Sequence, residues 1–197
     1  MTKEEIRERI RRQRQQLDSV WVERQSTVIQ RTLLETIEAM TPIGGVCNYL
    51  SGSREAQTDV VTRECWARGW PLYVPAFYKE TGQYRLAEFD KNDRLESGLF
   101  GIAQPVEPRW ASLSGNSVIV VPGVAFDCFG GRIGHGGGHY DRLLTELDHG
   151  SVHALKIGLA FEFQIVSKVP MDEADVYMDV VITDKRKINP ALSSESR

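Results

Sequence analysis

Apolar positions near the start of the chain recur every three or four residues. Thr2 and Glu5 have capping-box spacing, so a helix is expected to begin at residue 3. Ile6, Ile10 and Leu17 fall on one side of it. After a break at Asp18-Ser19, the series Val22, Ser26, Ile29, Leu33 and Ile37 predicts a second helix, closed by Pro42 and Gly44-Gly45. The period then changes. Val46 to Leu50 reads as a strand, Thr58 to Arg68 as a helix ended by Gly69, and Leu72 to Pro75 as a strand. Residues 76–105 alternate weakly, as strand pairs and loops do. Ser117 to Val121 is almost wholly apolar and β-branched, the mark of a strand covered on both faces. Tyr140 to Leu147 reads as a helix, Lys156 to Ala160 as a buried strand and Val180 to Thr183 as the last strand. Residues 190–197 read as a disordered tail, which leaves 1–189 as a single domain. Strands alternating with helices predict an α/β fold, a three-layer sandwich around a largely parallel sheet. Ligands in such folds sit at the C-terminal ends of the strands.

Composition narrows the function without naming it. At 197 residues, with 41% hydrophobic and 26% charged side chains, the chain has room for one sizeable core. No run of about 18 apolar residues is present, so no membrane partner is expected. The charged N-terminus does not read as a secretory signal. Cys47, Cys65 and Cys128 are an odd set without metal spacing, as reduced thiols of a cytoplasmic protein would be. Net charge is −3, yet residues 1–14 hold six basic side chains against three acidic ones. An acidic body with one basic helix argues against a nucleic-acid partner. The basic helix is then either a solvated, ion-paired surface or the cationic wall of a local anion site.

The second alternative gains weight from the run Pro122 to Arg142. Six of the nine residues from 130 to 138 are glycine. Glycine lets backbone N–H groups turn inward and places no side chain between them and a ligand, and such nests bind phosphate. A helix expected directly after the run adds the positive end of its dipole. Arg132 lies inside the run, and Asp141 and Arg142 follow it. Together they read as a polyphosphate cradle with a place for Mg²⁺. The run is not a Walker loop, because no Gly-Lys-Ser/Thr triplet ends it. Nor is it the dinucleotide pattern, because the sixth residue from Gly134 is His139. A ligand-free tight connection is the alternative. His135 and His139 stand four apart, but no third ligand accompanies them, which argues against zinc.

With three further segments, the run resembles the 5-formyltetrahydrofolate cyclo-ligase family, and the resemblance spans about residues 3–183. The family's loop, P-G-x-x-F-D-x-x-G-x-R-L-G-x-G-G-G-Y-Y-D, is followed closely by residues 122–141. Its first-helix pattern matches Lys3, Arg7, Ile10, Arg14 and Leu17. A further segment matches Leu50-Ser51 through Glu55 and Thr58, and the C-terminal one matches Gly158 through Gln164, Pro170 and Asp175. The chain departs from the family at His139, which replaces a tyrosine, at Tyr84 and Leu86, where methionines are frequent, and at Ala174.

The resemblance implies an ATP- and Mg²⁺-dependent conversion of 5-formyltetrahydrofolate to 5,10-methenyltetrahydrofolate, with release of ADP and phosphate. It implies ATP contacts from Lys3, Arg7, Arg14, Gly131, Arg132, Ile133, Gly134, His135, Gly136, Gly137, Gly138 and His139. Folate contacts are implied at Leu50, Glu55, Phe100, Tyr140 and, in the loop, Gly136 to His139. Mg²⁺ would meet Asp141 and Asp175, and Arg132, Lys3 and Gln164 would carry the catalysis. The expected partner is a reduced folate, with or without a polyglutamate tail, and the expected state is a cytoplasmic monomer. A non-catalytic nucleotide- or folate-binding protein on the same fold is the rival reading.

Overall fold

The computed structural model describes residues 1–148 and 154–190. The tail expected at 190–197 therefore lies outside the described residues from 191 onward. The described residues hold four α-helices: α1 (Lys3–Gln15), α2 (Ser19–Glu38), α3 (Asp59–Arg68) and α4 (His139–Asp148). Local chemistry sets their ends. Thr2 and Glu5 form the complete capping box of α1, and Asp18 accepts the Trp21 amide at the start of α2. Gly69 ends α3 in the left-handed conformation, with the Trp70 amide reaching back to Cys65 O.

The main sheet has eight strands. Its parallel centre is formed by β1 (Gly45–Cys47), β2 (Leu72–Tyr78), β7 (Ser117–Pro122), β10 (Ala154–Leu159) and β12 (Val180–Ile182). β3 (Gln83–Glu88) and β6 (Arg109–Trp110) extend one edge antiparallel, and β13 (Lys187–Ile188) the other. A small hairpin joins β4 (Leu95–Ser97) to β5 (Ala103–Pro105). Alternation along β7 builds the layers. Val118 and Val120 pack with Ile29, Leu33, Ile37, Val61 and Cys65 of α2 and α3. Ile119 and Val121 face the other way, toward Leu143 and Leu144 of α4. The expected three-layer α/β sandwich is thus present.

Three boundaries differ from the sequence reading, each for a local reason. β1 stops at Cys47 because the Asn48 side chain turns to Thr58 O and Thr62 Oγ1, drawing the chain toward α3. The last strand is β13, two residues too short to carry a periodic signal. The glycine run holds regular structure of its own. β8 (Ala125–Asp127) and β9 (Arg132–Ile133) form a hairpin inside it, joined by β11 (Ile165–Val166) in a separate three-stranded sheet. α1 packs on that small sheet through Ile6 and Ile10, against Val124, Ala125, Ile133, Val166 and Val169.

Gly44 marks a close approach between segments. A Cβ there would fall inside the Ser114 carbonyl, and the Gly44 amide donates to Asn116 O at 2.6 Å. Both obstacles are backbone and cannot yield by a rotamer change. Gly44→Ala is expected to cost about 2–3 kcal/mol, as overpacking does. Urea unfolding would show it as a lower midpoint at unchanged slope, and an unchanged midpoint would contradict the tight fit.

Candidate active site

The hairpin inside the glycine run is organised by one buried carboxylate. Asp127 Oδ1 accepts the amides of Phe129 and Gly131, both at 2.8 Å, and Oδ2 accepts that of Val169 at 2.7 Å. The Gly131 amide, assigned to ATP from the sequence, is therefore spent on Asp127. Ile133, assigned likewise, is buried in the small core and its carbonyl accepts the Val124 amide. The open stretch narrows to residues 134–138. None of the five amides from Gly134 to Gly138 donates to a backbone carbonyl among the described residues. α4 starts immediately after them, so the positive end of its dipole lies at the same region.

A cleft of about 590 Å³ opens over this stretch. Gly134, Gly136 and Gly138 line it with Lys3, Arg7, Arg132, Arg142, Asp141 and Asp175. Arg132 has a side chain only 3% exposed, and its Nη2 meets Asp141 Oδ1 at 2.6 Å. Its Nη1 donates to Pro122 O at 3.3 Å, whereas Nε is buried without a partner. A buried guanidinium with an unmet donor beside an open cleft is a ready anion ligand. Arg7 donates to Gly134 O at 2.9 Å and pairs with Glu4. Lys3 donates to Asp172 at 2.7 Å and to Asp175 at 2.5 Å. Burial works against the Lys3 ammonium, but these hydrogen bonds outweigh it and raise its pKa.

Two sequence assignments are relocated. Gln164 is fully buried and meets only backbone: Oε1 accepts the Phe161 amide, and Nε2 donates to Gly123 O and Val124 O. Its amide oxygen and nitrogen are thus engaged with backbone groups of the described residues. Arg14 does not line the cleft. Its Nη2 donates to the same Gly123 O at 2.7 Å, and Nη1 lies 4.0 Å from Glu55. Burial lowers its pKa, and Glu55 opposes the shift.

An aromatic wall adjoins the cradle. His139 meets Tyr84 edge-on at 5.5 Å between ring centroids, and Tyr84 meets Phe77 at 5.6 Å. The half-buried Tyr140 sits beneath the Arg132 guanidinium at 5.9 Å, and burial raises its phenol pKa far above the ordinary value. Glu55 accepts the Gly52 amide at 2.9 Å and lies 3.9 Å from His135 Nε2. Partial burial, ahead of nearby charges, lowers the pKa of His135. Leu50 packs half-buried against the core on the α2 and α3 side of the main sheet. The side chain of Phe100 lies outside the described residues. Sequence reasoning gave Asp127 no role, and it placed Arg142 with the cradle without giving it a partner. The only available signal for Arg142 was its place in the first turn after the glycines.

Among the described residues no cluster of three or more acidic, His or Cys side chains is arranged to hold a metal. The carboxylates present nevertheless fit Mg²⁺, which keeps several waters and binds through one or two carboxylates plus substrate phosphates. The bonds that Asp141 and Asp175 make to described residues fall on Asp141 Oδ1 and Asp175 Oδ2, and the second oxygen of each is spare. Both line the cleft.

Comparison with known proteins agrees with this arrangement. The sequence profile of the 5-formyltetrahydrofolate cyclo-ligase family matches residues 1–184. A probable 5-formyltetrahydrofolate cyclo-ligase of Caenorhabditis elegans is 37% identical over 150 residues, 71% of this chain and 72% of the relative. The 5-formyltetrahydrofolate cyclo-ligase of Escherichia coli K12 is 30% identical over 144 residues, 72% of this chain and 78% of the relative. The NMR structure of Aquifex aeolicus 5,10-methenyltetrahydrofolate synthetase superposes with a TM-score of 0.80 at 30% identity. The match covers 96% of this chain and 93% of that one. A glycine cradle at the head of α4, cations from α1 and a fold shared along the whole chain carry one conclusion: this chain belongs to the 5-formyltetrahydrofolate cyclo-ligase family.

Proposed function

We propose that the chain converts 5-formyltetrahydrofolate to 5,10-methenyltetrahydrofolate at the expense of ATP, releasing ADP and phosphate. The observation that carries this reading is the run of open amides from Gly134 to Gly138 beside a buried arginine with an unmet donor. The formyl group at N5 is a formamide, whose oxygen is a poor leaving group. Its attack on the γ-phosphorus forms an O–P bond, breaks the bond to the bridging oxygen and releases ADP. N10 then attacks the activated carbon, a C–N bond forms and phosphate departs.

The chain's residues serve positioning and charge balance. The amides of 134–138 and the α4 N-terminus hold the phosphate tail. Arg132 offers its planar fork to the transferred group, and Lys3 and Arg7 close over the tail from α1. His139, Tyr84 and Tyr140 present aromatic surface to the folate ring, and Glu55 accepts hydrogen bonds from its edge. Asp141 and Asp175 would hold Mg²⁺, which when bound neutralises charge on the phosphates. The enzyme would act as a cytoplasmic monomer. No helix among the described residues is long and apolar enough to cross a membrane.

Mixing protein, folinate and Mg·ATP is expected to raise the absorbance of methenyltetrahydrofolate. Folded protein that binds folinate or ATP without any such rise would instead establish a non-catalytic binding protein. Asp141→Ala is expected to raise KM for Mg·ATP by about 10–100-fold, the usual cost of disturbing a metal's surroundings, and to spare folinate affinity. Equal losses for both ligands, measured by titration, would contradict the metal assignment.

A further inference from the structure

Three arginines use guanidinium hydrogen bonds on carbonyl oxygens of the stretch 134–138. Arg7 Nε donates to Gly134 O at 2.9 Å, Arg11 Nη2 to His135 O at 3.4 Å and Arg142 Nη2 to Gly137 O at 2.9 Å. Arg142 is the unexpected member. It belongs to the first turn of α4, yet its side chain folds back over the N-terminus of its own helix. Its Nη2 also lies 3.0 Å from His139 Nδ1. Its Nη1 stands 3.2 Å from where a Cβ at Gly138 would be.

A trans peptide carries its C=O and the following N–H on opposite edges of one plane. A donor that fixes the Gly137 carbonyl therefore fixes the direction of the Gly138 amide as well. This plane has little else to restrain it. Glycine flanks it on both sides, and Gly138 has a φ of +63°, in a region that glycine enters freely. Neither the Gly137 amide nor the Gly138 amide is held by a backbone carbonyl of the described residues. Arg142 Nη2 is the hydrogen-bond donor found on the Gly137 carbonyl.

We propose that Arg142 is a positioning residue for the nucleotide: it clamps the Gly137–Gly138 peptide so that the Gly138 amide is turned away from the guanidinium and offered to the phosphates. It acts through the loop, not by touching the phosphates. Arg7 and Arg11 treat the Gly134–His135 and His135–Gly136 planes in the same way, so several of the cradle's donors are aimed from outside before any ligand arrives. Preorganised donors of this kind need no reorganisation on binding. The inference rests on the reading of residues 134–138 as a nucleotide cradle.

The test separates the two claims. Arg142→Met keeps an apolar stem and removes the donor. Arg142→Lys keeps a donor of similar reach. In ligand-free ¹⁵N spectra, R142M is expected to shift or broaden the Gly136, Gly137 and Gly138 amides and to leave those of β7 in place. R142K is expected to return them toward their wild-type positions. The Kd for ADP should rise about tenfold in R142M, with folinate affinity unchanged. Undisturbed loop amides in ligand-free R142M would overturn the proposal whatever happens to ADP, as would equal disturbance in both variants. ADP binding by the unaltered chain is the independent check. Its absence would remove the nucleotide reading, and the ligand-free spectra would still decide whether Arg142 sets the loop.

Discussion

Arg132→Lys is expected to lower kcat/KM by about 10²–10³-fold, the loss seen when one preorganised donor to a developing charge is removed. The geometry explains why a conserved charge does not suffice. Nη2 is held by Asp141, Nη1 by the Pro122 carbonyl, and Nε is buried and unmet. Two directions are served at once by a rigid plane, and a third donor is left unspent. A lysine ammonium has the charge but no fork, and it would be drawn to Asp141 alone. The side chain is nearly inaccessible, so water cannot fill the missing donor position. Steady-state kinetics should show the loss mainly in kcat, with folinate binding kept. Turnover within a few-fold of wild type would remove Arg132 from the reacting centre.

Gln164→Leu should destabilise the fold by about 3–5 kcal/mol. The substitution strands the Phe161 amide and the Val124 carbonyl and removes one of two donors to Gly123 O. Each buried group left unsatisfied costs about 1–3 kcal/mol. For a chain of this size that is a fall in Tm of about 10–15 °C. Calorimetry checks it. A residue that acted on substrate would give the opposite pattern, with Tm unchanged and turnover lost. A thermally normal, inactive Q164L protein would return this glutamine to the chemistry.

The sequence displayed the layers clearly because their signals are long. The twenty residues of α2 repeat a buried position five times, four of them apolar, and β7 is too apolar to be anything but a covered strand. It displayed the cradle because glycine clusters are rare and one family uses this one. Partnership was not legible. Gln164 and Arg14 occupy family positions, yet which atoms they meet depends on Gly123 O, a backbone oxygen remote from both in sequence. Asp127 and Arg142 also act on backbone, and a bond to a carbonyl or an amide leaves no trace in the residue type of its partner. The hairpin of β8 and β9 was hidden because strands of three and two residues carry no period.

One consequence follows from the way α1 is seated. Its buried side chains are Ile6 and Ile10, worth about 3–6 kcal/mol of burial, and they rest on the small sheet instead of the large one. Lys3, Arg7, Arg11 and Arg14 tie the helix to the glycine loop, to the Pro122-Gly123 bend and to Asp172 and Asp175. The helix is thus a clasp that grips by polar fingers and hinges on two greasy pins. Sub-global opening would release it while both faces of the large sheet stay packed. The chain then forfeits these cations long before it forfeits its shape.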